Sequence, residues 1–277
     1  MKDFDATPLE ALNAVLDSLG SIAVAVSGGV DSLTLAQAAH RRLGAGVEMI
    51  HATSPAVPAE ATARTRALAA REGWTLKVID AGEFADKDYL ANPVNRCFFC
   101  KSSLYRSLAA MTERQVVSGA NTDDLGDYRP GMQAAAERGV RHPFIEAGID
   151  KAGIRAVART LGLEGIAELP ASPCLSSRIE TGIAVTPEAL DFVHAVENRI
   201  SGWLADRGGF AGAVRCRIRH DGPAVELDAA SLAMVLAPEA APLRVEVAGL
   251  ARARGYGADL PFGPYRMGSA FLKAEGA

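Results

Sequence analysis

Short apolar runs alternate, along the first part of the chain, with stretches whose apolar positions recur every three or four residues. Residues 9–19 carry the helical period, 22–26 form a continuous apolar run, and 33–43 return to the helical period. The pair then repeats, with strands predicted at 47–52, 76–79 and 115–118 and helices at 59–72 and after Lys101. Strands separated by helices need crossover connections, so this pattern predicts a doubly wound α/β domain, a mostly parallel sheet covered on both faces. Ligands of such sheets sit beyond the carboxyl ends of the strands, which puts 27–32, 51–54 and 119–124 in one functional layer.

The pattern changes after about Gly182. Thr186, Pro187 and Glu188 supply a cap, a first-turn proline and a first-turn acid for a long helix to about residue 204. Strands at 214–219 and 224–227 flank a turn at 221–223, a helix follows over 242–254, and a last strand is expected near Tyr265. This order predicts a smaller α+β domain with an antiparallel sheet, so the expected division is 1–182 and 183–277. No internal repeat or low-complexity segment interrupts either part.

Composition narrows the function classes. A 277-residue chain that is 49% hydrophobic can bury a substantial core, and its net charge of -4 gives no general attraction to a polyanion. Small molecules are therefore the expected partners, with nucleic acid disfavoured. No apolar run reaches the roughly 18 residues of a membrane span, and the acidic start lacks a signal-peptide core, so a cytoplasmic location with no membrane partner is expected. Four cysteines are too few for a disulfide scaffold of this size.

The chemistry begins at Ser27-Gly28-Gly29-Val30-Asp31-Ser32, directly after the first strand. The glycines let the backbone turn sharply, and free amides at the next helix start face an anion beside the Ser27 and Ser32 hydroxyls. The loop has no lysine of its own, unlike a Walker-type loop, and Asp31 suggests a magnesium ion at the phosphates. It resembles the pyrophosphate-binding loop (PP-loop) of the ATP pyrophosphatases, which adenylate a carbonyl or carboxylate and release pyrophosphate. On that resemblance the expected ATP-binding residues are Ser27, Gly28, Gly29, Val30, Asp31 and Ser32. After the second strand they are His51, Ala52 and Thr53, and after the fourth Gly119, Asn121, Asp123 and Asp124. Lys101 and Arg178, each near a cysteine, complete the set, as phosphate ligands or as cations that depress a thiol pKa. A satisfied structural histidine is an equal reading of His51.

Cys97 and Cys100 form a Cys-x-x-Cys pair expected in the loop before the helix, and Cys174 stands in Ser172-Pro173-Cys174-Leu175-Ser176-Ser177-Arg178. Three thiolates could hold a cluster with one open iron; a dithiol and inert thiols are the other readings. Cys216, on a strand, is expected in a core. The four motifs Ser-Gly-Gly-Val-Asp-Ser, Asn-Arg-Cys-x-x-Cys-Lys, Gly-Ala-Asn-x-Asp-Asp and Ser-Pro-Cys-Leu-x-Ser-Arg-Ile, in this order, resemble the LarE family. The resemblance implies an ATP-dependent sulfurtransferase that adenylates a carboxylate of pyridinium-3,5-biscarboxylic acid mononucleotide and replaces AMP with sulfur, for the nickel-pincer nucleotide. It further implies that Cys97, Cys100 and Cys174 hold a [4Fe-4S] cluster, with Cys174 as a self-consumed donor the alternative. ATP, Mg2+ and a sulfide donor follow from it.

Arg215, Arg217 and Arg219 alternate on one strand beside Glu226, an arrangement suited to the substrate phosphate. A solvated strand face or a subunit contact is the other reading, and Asp259, Tyr265 and Arg266 could serve the pocket or an oligomer interface. A homo-oligomer is expected. Rival functions are a tRNA thiolase, an amide-forming enzyme of the NAD or GMP synthetase type, and a non-catalytic nucleotide sensor.

Overall fold

The computed structural model describes residues 6–126, 129–171, 173–209, 212–257 and 259–271. The chain divides into two compact units, Met1–Asp86 with Asn95–Ser172, and Lys87–Val94 with Pro173–Ala277. In chain order the first elements are α1 (Pro8–Leu19), β1 (Ile22–Val26), α2 (Val30–Leu43), β2 (Val47–Thr53), α3 (Ala59–Glu72) and β3 (Leu76–Asp80). There follow α4 (Lys87–Leu90), α5 (Arg96–Ala109), β4 (Gln115–Val117), α6 (Pro130–Glu137), α7 (Pro143–Glu146), α8 (Lys151–Thr160) and α9 (Glu164–Ala167). The last are α10 (Pro187–Ala205), β5 (Val214–Arg219), β6 (Gly222–Leu227), α11 (Ala229–Leu236), α12 (Ala241–Ala253) and β7 (Phe262–Pro264).

The first unit is built on a four-stranded sheet of order β3-β2-β1-β4 in which every pairing is parallel, as the alternating pattern predicts. Ile22 lies beside Val47 and Gln115, and Val26 lies beside His51. On one face Ile22 and Val24 share a core with Leu12 and Leu16 of α1, Leu33 and Ala36 of α2, and Ile154 and Val157 of α8. On the other, Ala23 and Ile50 pack with Leu108 of α5. Burial on both faces explains why the strands read as continuous apolar runs. The chain moves outward from β1 to β3 on one side and returns to β4 on the other, so the crevice between β1 and β4 is the topological switch point where such sheets bind ligands.

In the second unit Thr186 caps α10 as expected, its side chain accepting from the Ala189 amide. The buried face of α10, with Leu190, Val193, Ile200 and Leu204, covers β5. The small sheet is mixed, not antiparallel throughout: β5 and β6 are antiparallel, but β6 and β7 run parallel. The two helices α11 and α12 carry the chain back across the sheet, and such a crossover returns a strand in the parallel sense. The last strand ends at Pro264, just before Tyr265.

The second unit begins at Pro173, before the expected junction at Gly182, and it includes Lys87–Val94. Asn92 accounts for this. It is 1% exposed, adopts φ 55°, and donates from its side-chain amide to the carbonyls of Glu180 (2.8 Å) and Ile183 (2.9 Å). Its own carbonyl accepts from the Gly182 amide, the Leu90 carbonyl accepts from Val185, and the Tyr89 hydroxyl meets Ser176 Oγ at 2.6 Å. Buried backbone groups need partners, and these contacts weave 87–94 into 176–185.

Candidate functional site

The glycine loop follows β1 and opens α2, which starts at Val30 rather than near Leu33, so Asp31 and Ser32 lie in its first turn. Gly28 has φ +82°, and a Cβ on it would stand 2.6 Å from the Ala61 carbonyl oxygen. Glycine is therefore required by backbone conformation and by the close approach of α3. The loop is tied internally: Ser32 Oγ accepts from the Ser27 amide at 3.0 Å, meets Ser27 Oγ at 3.0 Å, and donates to the Gly29 carbonyl. Gly29 is the N-cap and has no side chain to cap the helix, so the first amides of α2 have no acceptor from the N-cap side chain. Val30 is 4% exposed and belongs to the core.

Two basic residues that sequence reasoning missed meet this loop. Arg64 of α3 donates to the Gly28 carbonyl at 2.5 Å. Lys151, the first residue of α8, places Nζ 2.6 Å from Asp31 Oδ1, across 120 residues of sequence. Burial pushes the Asp31 carboxyl pKa up, and the Lys151 ammonium opposes that shift. Nothing in the spacing marks Arg64; the Asp150 cap, whose side chain accepts from Gly153, marks Lys151 as a helix start.

The segment after β4 comes close to the loop. A Cβ on Gly119 would lie 3.0 Å from the Ser32 nitrogen. Asn121 and Asp124 form a reciprocal capping box, Asp124 also pairs with Arg129 at 2.8 Å, and Asp123 Oδ2 accepts from the Lys151 amide at 3.1 Å. These expected ATP residues thus build the rim of the switch-point crevice through their own bonds.

His51 stands differently. It is fully buried, its Nδ1 is 2.8 Å from the Val26 carbonyl, and its Nε2 is 2.9 Å from Thr62 Oγ1. Both ring nitrogens are used by the protein, so the imidazole braces the two strands under the loop; it is not open to a nucleotide, and its neighbours Ala52 and Thr53 are half-buried. The carbonyl contact makes Nδ1 the donor and favours the charged ring, but burial outweighs it and holds the pKa below the usual value. The unfolded chain, with a histidine pKa of about 6.5, then binds a proton that the folded ring refuses, so this contribution is present above that pH and is lost as pH falls. Thermal unfolding of the wild type is expected at lower temperature at pH 5 than at pH 7, with a flatter pH dependence in His51→Gln; equal slopes would sink this assignment.

Cys97 and Cys100 lie within the first turns of α5, not in a loop before it. Asn95 offers no side-chain cap, so the helix start carries no local signal there. Spaced three apart on a helix the thiols share a face, and both are half-buried. Lys101 follows them, with Nζ 5.9 Å from the Tyr105 ring centroid.

The remaining residues belong to the second unit. Cys174 is exposed and heads a short 3-10 turn, 175–178, that Arg178 holds from within. Arg178, 3% exposed, gives Nε and Nη2 to the two carboxylate oxygens of Glu197 at 2.9 Å each, and Nη1 to the Pro173 carbonyl at 2.7 Å and the Cys174 carbonyl at 3.2 Å. Its donors are spent on this clamp, so Arg178 supports the cysteine loop and is not free for ATP. Glu197, the partner, was not legible from spacing. Cys216 is fully buried in a core, as expected, and burial pushes its thiol pKa well up.

The three arginines of β5 do not act alike. Arg217 is 4% exposed and donates to Glu226 at 3.0 Å and to the Ser177 carbonyl at 2.9 Å. Arg215 donates to the Val214 carbonyl and is half-buried. Arg219 also pairs with Glu226 but remains partly open, and with Glu180, Arg266, Met267, Gly268 and Ser269 it lines a cavity of about 410 Å³. A mononucleotide-sized ligand fits that range. Neither unit by itself gathers three His, Cys, Asp or Glu side chains into a metal-binding group among the described residues. No helix among them is long and apolar enough to cross a membrane.

A parallel α/β sheet whose first strand ends in a glycine loop at the switch point defines the first unit as a PP-loop-type α/β fold. No family model matches the chain. It is 41% identical over 193 residues, 68% of its length and 72% of the relative's, to uncharacterized protein slr1717 of Synechocystis sp.. It is 29% identical over 232 residues, 82% of each chain, to pyridinium-3,5-bisthiocarboxylic acid mononucleotide synthase of Lactiplantibacillus plantarum. An uncharacterized protein of Methanocaldococcus jannaschii is 27% identical over 143 residues, half of this chain and 53% of that protein. The chain belongs to the family of the Synechocystis protein, and that family is LarE-like.

Proposed function

We propose that this chain is an ATP-dependent sulfurtransferase that adenylates a carboxylate of pyridinium-3,5-biscarboxylic acid mononucleotide, releases pyrophosphate, and replaces AMP with sulfur to give a thiocarboxylate. The observation that carries this reading is the glycine loop between β1 and α2, whose N-cap leaves the first helix amides without a side-chain cap, in a chain similar over most of its length to a bisthiocarboxylic acid mononucleotide synthase. A carboxylate is a poor electrophile because its charge is delocalised, and transfer of AMP gives it a good leaving group. The loop at 27–32 holds the phosphates by its amides, where charge develops as pyrophosphate leaves. Asp31, a hard oxygen donor, would hold magnesium, which when bound neutralises part of that charge. The adenosine lies toward Ala52, Thr53 and 119–124. Arg219 and Arg266 take the substrate phosphate in their cavity, with Arg217 and Glu226 as its support.

None of the three candidate thiols is in a disulfide, and sulfur donors suit iron. Cys97, Cys100 and Cys174 would hold a [4Fe-4S] cluster, which when bound supplies a transferable sulfide recharged by a sulfide donor. The exposure of Cys174 on its clamped turn supports a second route. Its thiolate attacks the acyl adenylate and expels AMP; loss of the α-proton then breaks the Cβ–S bond, leaving a thiocarboxylate and dehydroalanine. In both routes the chain works in the cytoplasm as a homo-oligomer.

The test is an oxygen-free incubation of reconstituted protein with ATP, magnesium and the mononucleotide. Equal amounts of AMP and pyrophosphate, and a product in which sulfur replaces a carboxylate oxygen, are expected. Formation of ADP, or turnover with ammonia to an amide, would overturn the reading. The mass of the protein afterwards separates the routes, since only self-consumption removes sulfur from residue 174.

A further inference from the structure

The glycine loop lacks a lysine, yet an ammonium stands at it. Lys151 Nζ lies 2.6 Å from Asp31 Oδ1, and Asp31 is in the first turn of α2, beside the uncapped amides. Both side chains keep about a third of their surface open, so an incoming anion can reach them. The base of Lys151 is rigid. Its amide donates to Asp123 Oδ2 at 3.1 Å, Asp150 caps its helix, and four residues on Arg155 binds the carbonyls of Ala167 and Leu169. Arg155 is thereby committed elsewhere, and the nearby Arg64 is committed to the Gly28 carbonyl, whereas Lys151, among the described residues, is a cation paired with one partly exposed carboxylate at the loop.

Resting on the ATP-dependent reading, we propose that Lys151 is a phosphate-binding residue of the loop, its ammonium passing from Asp31 to the pyrophosphate portion of ATP. Pyrophosphate carries more charge than one carboxylate and presents several acceptor oxygens, so it outcompetes Asp31 for the ammonium. The exchange frees the Asp31 carboxylate at the moment the nucleotide arrives. Lys151 holds the departing part of ATP only, and AMP makes no contact with it.

Calorimetric titration of ATP, pyrophosphate and AMP at fixed magnesium into wild type, Lys151→Ala and Lys151→Arg tests this. Loss of one charge-assisted contact is expected to weaken ATP and pyrophosphate about 10- to 100-fold in Lys151→Ala, with AMP unchanged and Lys151→Arg intermediate. Folding is not at risk, since a part-exposed ion pair contributes little to stability. Equal weakening of AMP would make Lys151 a structural brace and overturn the proposal, as would unchanged ATP affinity. Wild type that binds neither ATP nor pyrophosphate would instead bring down the ATP-dependent function, and this inference with it.

Discussion

Glu197→Ala is expected to destabilise the second unit by about 3–5 kcal/mol, the cost of leaving a buried cation without its partner. Arg178 is 3% exposed, and two of its nitrogens end on Glu197; Glu197 Oε1 also accepts from the Cys216 amide at 2.9 Å. Removal therefore strands a guanidinium and a backbone donor together, and water cannot reach either without opening α10 from β5. Urea unfolding monitored by tryptophan fluorescence reads the loss through Trp203, which lies on α10. The double variant Arg178→Met with Glu197→Leu is expected to recover much of the stability, because apolar residues of similar volume often replace a buried ion pair at no net cost. It should nevertheless loosen the Cys174 turn, whose carbonyls Arg178 holds, and so change the rate of Cys174 alkylation. A single-variant loss below about 1 kcal/mol, the range of an exposed pair, would show that the clamp is solvated.

Gly28→Ala is expected to lower AMP formation at least about 100-fold, because displacement of a positioned group by about 1 Å has that cost. The residue sits at φ +82°, and its new methyl would meet backbone atoms of α3, not the end of a flexible side chain. The loop must shift, and with it the amides proposed to hold the phosphates. Gly29→Ala is the control. Its φ is -86°, and the nearest atom to an added Cβ is Ser27 Oγ at 3.6 Å, so its stability should stay within about 0.5 kcal/mol of wild type. A Gly28→Ala protein that forms AMP at the wild-type rate would remove the loop from the reaction.

The strands of the first unit, their parallel sense and the glycine loop were legible because each rests on local signals: apolar runs, helical periods, and glycines between a strand and a helix. The helix position of Cys97 and Cys100 was not, since Asn95 leaves the start of α5 without a side-chain cap. Strand alternation put Arg215, Arg217 and Arg219 on one face but carried no information on what covers it. Arg217 is buried through Glu226 and the distant Ser177 carbonyl, a matter of packing. His51 lay at the expected strand end, yet pairing β2 beside β1 set it against Val26 and consumed its ring. The pairing of Lys151 with Asp31 spans 120 residues, a distance at which spacing carries no signal.

The loan of Lys87–Val94 to the second unit also bears on the order in which the molecule can be finished. Synthesis delivers Asn92 early, while the carbonyls its side chain binds come 87 to 91 residues later. All four strands of the parallel sheet lie before residue 118, so they can pair while this segment waits for its partners. The second unit is thus unfinished in any fragment that begins at Pro173, because part of its interior, Lys87–Val94, is made before α5 of the first unit.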